Sequence, residues 1–160
     1  TIFNLIGPLS SPAKVKRQVV GVFDKKLLKI FAEALKNLNL KKALIVNSQD
    51  GLDEISPYTK TNIVELSDGN ITESVLNPKD LGIEAGNFNS IVGKDPEYNS
   101  EKMKEIFQGK DNDFSIAVCL NAAAGLLVAE KSSSFKEGYE ELRKHILSKK
   151  VINHITKLTK

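Results

Sequence analysis

A mostly parallel α/β sheet flanked by helices is the fold class that this 160-residue sequence predicts, and three observations predict it. The stretch QVVGVF (18–23) is β-rich and nearly continuous in apolar character, as a strand buried on both faces is. A run of period 3.6 follows, and then a second apolar strand, KKALIVNS. Strand, helix, strand within about 30 residues is a βαβ unit with parallel pairing. Finally, SIAVCLNAAAGLLVAE (115–130) is apolar all round, the mark of a helix buried on most sides.

The elements follow in order. TIFNLIG carries apolar Ile2, Phe3, Leu5 and Ile6, which predicts a short helical turn ended by Gly7-Pro8 and followed by the Pro-bracketed loop PLSSPAK. After strand 18–23, Asp24 is expected to cap a helix whose apolar positions are Leu27, Leu28, Phe31, Leu35 and Leu38. The second strand is expected over 43–47. TNIVELSDGNITESVLN alternates apolar and polar residues around Asp68-Gly69, which predicts a hairpin with a type I′ turn, closed by Asn77-Pro78. Lys79 to Lys94 has weak periodicity and is expected to be mostly loop. Pro96 opens a helix to about Phe107, stopped by Gly109. The helix over 115–130 is expected to be the most buried element, and two helices near 134–147 and 149–159 finish the chain.

The length suits one domain, able to bury about 70% of its unfolded surface. The net charge of +3 comes from 23 basic and 20 acidic residues spread along the chain. Only the tail, KHILSKKVINHITKLTK, is locally basic, and it reads as a solvated helical face; nucleic acid calls for a clustered patch. The lone Cys119 lies in the apolar run FSIAVCL, which excludes a disulfide framework and marks a small buried hydrophobe. No apolar run reaches the ~18 residues of a membrane span and no signal-peptide pattern opens the chain, so a soluble cytoplasmic protein is expected. Thr1 followed at once by an apolar run leads us to expect a piece of a longer chain. His145 and His154 fall on terminal amphipathic helices and read as surface or packing residues. Asn121, within the apolar helix, reads as a buried polar group satisfied by backbone.

The stretch that carries chemistry is ALIVNSQDGLDEIS (43–56). Asp50, Asp53 and Glu54 lie just past the carboxyl end of a strand, where open parallel sheets bind ligands. Gly51 can take φ > 0 and turn the loop sharply. Adjacent carboxylates repel, and a divalent ion removes that penalty; an all-oxygen set without Cys or His suits Mg²⁺, which keeps waters and substrate phosphates as further ligands. Two readings are open on these residues alone: a metal site at Asp53 and Glu54, or a solvated acidic turn.

Taken in order, TIFNLIGPLSSPA (1–13), QVVGV (18–22), DGLDEIS (50–56), VGKDPEYNSE (92–101) and LNAAAGLLVA (120–129) resemble the anthranilate phosphoribosyltransferases across essentially the whole chain. Ser11 stands where that family has Asn, Lys94 stands where its GGDxxEN segment has the second Gly, and the Arg that precedes its TIFN block falls one position before Thr1. The resemblance implies the α/β domain shared by nucleoside phosphorylases and phosphoribosyltransferases. It also implies transfer of a phosphoribosyl group from phosphoribosyl pyrophosphate to anthranilate, in tryptophan biosynthesis. It assigns Asp53 and Glu54 to Mg²⁺ on the pyrophosphate, and Asn4, Gly7 and Pro8 to the wall of the anthranilate site. The family's helical domain, its GTGGD phosphate loop and its KHGN-type loop precede the TIFN block. These 160 residues therefore correspond to a C-terminal portion, a single α/β domain expected to be inactive alone, and the family's homodimer contact belongs to the helical domain. Neither nucleic acid nor membrane is an expected partner. The alternatives are a pyrimidine-nucleoside phosphorylase-like enzyme, which DGLDE and GPLSSPA argue against, and a non-catalytic remnant or subunit of a split enzyme.

Overall fold

The computed structural model describes residues 5–84 and 86–158, and its chain runs β1 (Arg17–Gly21), α1 (Leu27–Asn37), β2 (Lys42–Ser48), β3 (Thr61–Ser67), β4 (Asn70–Leu76), α2 (Pro96–Phe107), α3 (Asp113–Val128), α4 (Phe135–Leu147) and α5 (Lys150–Leu158). The strands form one sheet in the order β1-β2-β3-β4. β1 and β2 are parallel, with Val20 beside Ile45, as the βαβ reading requires. The α/β class holds, and the sheet is mixed. β3 runs antiparallel to β2, and β4 antiparallel to β3. A parallel return needs a crossover of a dozen or more residues, usually a helix; the twelve residues after β2 form no helix, and β3 and β4 are joined by two residues.

Period-2 alternation sends the strand side chains to two cores. Ala43 and Ile45 of β2 join Val20, Val64, Leu66 and the α1 residues Leu28, Phe31, Ala32 and Leu35 on one face. Leu44 and Val46 join Ile63 and the α3 residues Leu120, Ala124 and Val128 on the other. A strand covered on both sides reads as a continuous apolar run. A third cluster gathers α2, α4 and α5 around α3, with Ile106, Cys119 and Ile146 buried and Val151 packed against them. The expected hairpin is present, with positive φ at both Asp68 (47°) and Gly69 (83°), the signature of a type I′ turn.

Several expectations are corrected. Leu5 and Ile6 are helical, but Gly7-Pro8 does not end the turn: a 3₁₀ turn spans Gly7–Leu9, with Pro8 at a first-turn position that needs no N–H. The first strand ends at Gly21, and Phe23 is exposed. Asp24 is not the cap of α1, whose N-cap is Lys26; the Asp24 carboxylate instead accepts from the Lys26 N–H at 2.9 Å and shapes the approach. The most buried element is β2, buried from Ala43 through Ser48. α3 packs on the sheet and on α4, and its third face, Val118, Ala122 and Gly125, is exposed among the described residues. No described helix is long and apolar enough to cross a membrane.

Candidate active site

β1 and β2 end side by side, and the loop from Gln49 to Lys60 leaves β2 over their carboxyl ends. Its folding begins with Gly51 at φ 94°, whose N–H donates to the Ser48 carbonyl at 3.1 Å. Asp50 accepts from the Ser56 hydroxyl at 2.6 Å and from the Leu52 N–H at 3.3 Å. Ser56 is fully buried, and its oxygen in turn accepts from the Tyr58 N–H at 3.0 Å. Asp50, though exposed, is thus engaged in the loop's own frame, and Asp53 and Glu54 are exposed beside it.

Two contacts seat that pair. A Cβ on Gly21 would lie 1.5 Å from the Asp53 carbonyl oxygen and 2.6 Å from its carbonyl carbon, so only glycine permits the loop to rest on β1. On the far side, Ile55 is 1% exposed in the α3-side core. Its N–H donates to Asn121 Oδ1 at 2.8 Å, and its carbonyl accepts from Asn121 Nδ2 at 2.9 Å. Asn121, expected to be buried, is half-buried, and its amide is satisfied by backbone. Gly21 and Asn121 carry no chemistry of their own; a glycine inside a β-rich run and an asparagine inside an apolar helix are the only signs they leave in the sequence.

Asp53 and Glu54 line an open cavity of about 490 Å³, walled by Val19, Gly21 and Val46 of the strands and by Ala117, Val118 and Asn121 of α3. Ile91 and Phe114 complete it. The Glu54 carboxyl is raised above its ordinary value, first by desolvation against this wall and then by the charge of Asp53. That is the electrostatic frustration a cation relieves. Among the described residues no group of three or more His, Cys, Asp or Glu side chains is placed to hold a metal. The pair offers two carboxylates, so a Mg²⁺ held there would take the rest of its shell from water and ligand oxygens.

The segment before α2 folds against the same cavity. Asp113, at the start of α3, accepts from the Ser90 hydroxyl and, at 3.3 Å, from the Tyr58 hydroxyl. The Ser90 bond is the main reason its carboxyl is held below the ordinary value. Tyr58 also meets Phe88 edge-on, with ring centroids 6.3 Å apart. These contacts fix the 3₁₀ turn Phe88–Ile91, whose last residue lines the cavity.

The remaining expected site residues lie elsewhere. Asn4 is outside the described residues. Gly7 and Pro8 sit in the 3₁₀ turn, and Pro8 borders a different cavity, of about 280 Å³, with Leu9, Lys14, Val15 and Leu38. The structure joins Asp53 to Glu54 and does not bring Pro8 to them.

Comparison with known proteins adds three findings. Residues 1–150 match the α/β domain of the glycosyl transferase family. The chain is 61% identical over 158 residues to an anthranilate phosphoribosyltransferase of Pelagibacter ubique, covering 99% of this chain and 48% of that protein. Among solved structures, it resembles an anthranilate phosphoribosyltransferase of Thermus thermophilus with a TM-score of 0.85 and 32% identity, over 95% of this chain and 45% of that one. It also resembles the Saccharomyces cerevisiae enzyme in complex with PRPP and Mg, with a TM-score of 0.85 and 25% identity, over 96% and 44%. The chain spans about half the length of the curated relatives it matches.

Proposed function

Because the chain belongs to the glycosyl transferase family through its α/β domain, we propose that it carries the metal-and-pyrophosphate side of phosphoribosyl transfer from phosphoribosyl pyrophosphate to the amine of anthranilate, a cytoplasmic step of tryptophan biosynthesis. The observation that carries this reading is the acidic pair. Asp53 and Glu54 stand together at the carboxyl ends of parallel strands, on the wall of an open cavity, with Glu54 raised by its surroundings. The likeness to an enzyme solved with PRPP and Mg supports it.

In this reading Asp53 and Glu54 hold Mg²⁺ on the pyrophosphate. Bound Mg²⁺ supplies countercharge to the departing pyrophosphate without any proton transfer. The chain's own contribution is placement: the seated loop presents both carboxylates to one point, and Val118, Ala117 and Ile91 wall that point with apolar surface. Catalysis by orientation and electrostatics asks for no protein nucleophile. The one thiol fits none, because burial pushes Cys119 up to about 11. Asn4, Gly7 and Pro8 are assigned to the acceptor, anthranilate, as the family resemblance implies.

The test is Asp53→Asn with Glu54→Gln in the full-length protein that contains this chain, which removes both charges and keeps the loop's shape. The expected result is a lower kcat/KM for phosphoribosyl pyrophosphate, partly recovered at high Mg²⁺, with Tm little changed. Unaltered kinetics would return the pair to a solvated turn.

A further inference from the structure

We propose that Asn121 is the positioning residue for the acidic pair, its side-chain amide acting as a clamp on the loop backbone at Ile55; the proposal rests on the reading of Asp53 and Glu54 given above. Three of the amide's four hydrogen-bonding positions are used, both N–H groups among them. Oδ1 accepts from the Ile55 N–H at 2.8 Å, and Nδ2 donates to the Ile55 carbonyl at 2.9 Å and to the Ala117 carbonyl at 3.0 Å. The amide's orientation follows from this set. A flipped group would set an N–H against the Ile55 N–H and an oxygen against two carbonyls.

Helix stability does not explain the residue. Around it α3 is Leu120, Ala122, Ala123 and Ala124, and an aliphatic side chain would serve the core without the cost of desolvating an amide. What needs an amide is Ile55. Its side chain is buried in the loop, so its N–H and carbonyl lack water and have no ladder partner. Asn121 supplies the pairing that a neighbouring strand would have given. It does so across 66 residues of sequence, one peptide unit from Glu54. Asp53 is held on the other side by its contact with Gly21. The two carboxylates thus sit between two backbone locks. An unlocked loop would let like charges swing apart.

The experiment uses Asn121→Leu in the full-length protein, with Asn112→Ala as the control. Asn112 forms the capping box of the same helix with Ser115 and takes no part in the cavity, so its loss lowers stability alone. Two readouts are taken. One is amide hydrogen exchange at Ile55; the other is the Mg²⁺ dependence of kcat/KM for phosphoribosyl pyrophosphate. Asn121→Leu is expected to speed Ile55 exchange about tenfold, the worth of one good hydrogen bond, while Ile45 in β2 keeps its protection. It is also expected to lower kcat/KM by about a hundredfold, as ~1 Å of misplacement does, with a raised Mg²⁺ requirement. Asn112→Ala should move Tm and neither readout. Should Asn121→Leu not fold, Asn121→Asp serves the exchange readout, because a carboxylate keeps the bond from the Ile55 N–H and loses both donations. Unchanged Ile55 exchange, or Mg²⁺ dependence equal to that of the Asn112→Ala control, overturns the clamp. If Asp53→Asn with Glu54→Gln impairs the enzyme while Asn121→Leu does not, the clamp falls and the metal reading stands. If neither variant changes the kinetics, the metal reading itself falls.

Discussion

Replacing Gly21 by alanine adds one methyl group to the end of β1, and the structure sets the consequence. The new carbon would lie 1.5 Å from the Asp53 carbonyl oxygen. Ordinary contact requires roughly 3.5 Å, so loop and strand must part by about 2 Å. Little can yield on either side. β1 is laddered to β2 from Arg17 to Gly21, and the loop is held by buried Ile55 and by the Asn121 amide. Overpacking of this kind costs about 1–3 kcal/mol, or roughly 2–12 °C of Tm in a domain of this size. The displaced residue is Asp53 itself, so kcat/KM in the full-length protein should fall about a hundredfold, beyond what the lost stability explains. Gly125→Ala in the 160-residue chain is the internal comparison: a Cβ there meets nothing within 4 Å on a helix face. The same substitution is expected to stabilise by about 0.5–1 kcal/mol. Melting curves for both variants, with steady-state kinetics for Gly21→Ala, decide the matter. A Gly21→Ala protein with native Tm and native kinetics would refute the close approach of loop and strand.

Two further outcomes follow from single side chains. Cys119 is fully buried, and its thiol is pushed up to about 11, chiefly by desolvation. Native protein at pH 8 should therefore react with a thiol reagent only as fast as it opens, and prompt labelling would contradict the packing. The sign for stability is that of a raised acid: the contribution is intact below pH 9 and is lost as pH climbs towards 11, where the unfolded chain has released a proton that the native one keeps. Asn112→Ala removes the oxygen that accepts from the Ser115 N–H at 3.0 Å, and should cost about 1 kcal/mol in denaturant unfolding with no change in slope.

How far these features were legible depends on whether their cause is local. The βαβ unit and the Asp68-Gly69 hairpin rest on side-chain period and on a dipeptide that tolerates positive φ, and both are present. The position of Asp53 and Glu54 just past the end of β2 was legible because the apolar run of that strand stops at Asn47-Ser48. α3 was misjudged in part. A helix apolar on every side does not say which side is covered, so the open face at Val118, Ala122 and Gly125 carried no mark. Asp50 stands beside the pair in sequence, and only the folded loop shows that it accepts from Ser56. Gly21 and Asn121 were illegible as site residues for a single reason: each acts by touching a backbone far away in sequence.

Those two contacts also explain how a loop can hold what charge would drive apart. Asp53 and Glu54 repel, which adds to the desolvation that chiefly raises the Glu54 carboxyl. A solvent-exposed turn free to move would relax by separating them, and would then meet a cation with the ordering still to be done. Here the ordering is done by the fold. Ile55 gains from burial in the core, its backbone is paired by Asn121, and Asp53 rests where only glycine lets it rest. In the proposed reading a divalent ion would remove that repulsion with the loop already ordered. In that reading the site would depend on two residues, Gly21 and Asn121, that do not touch the ion.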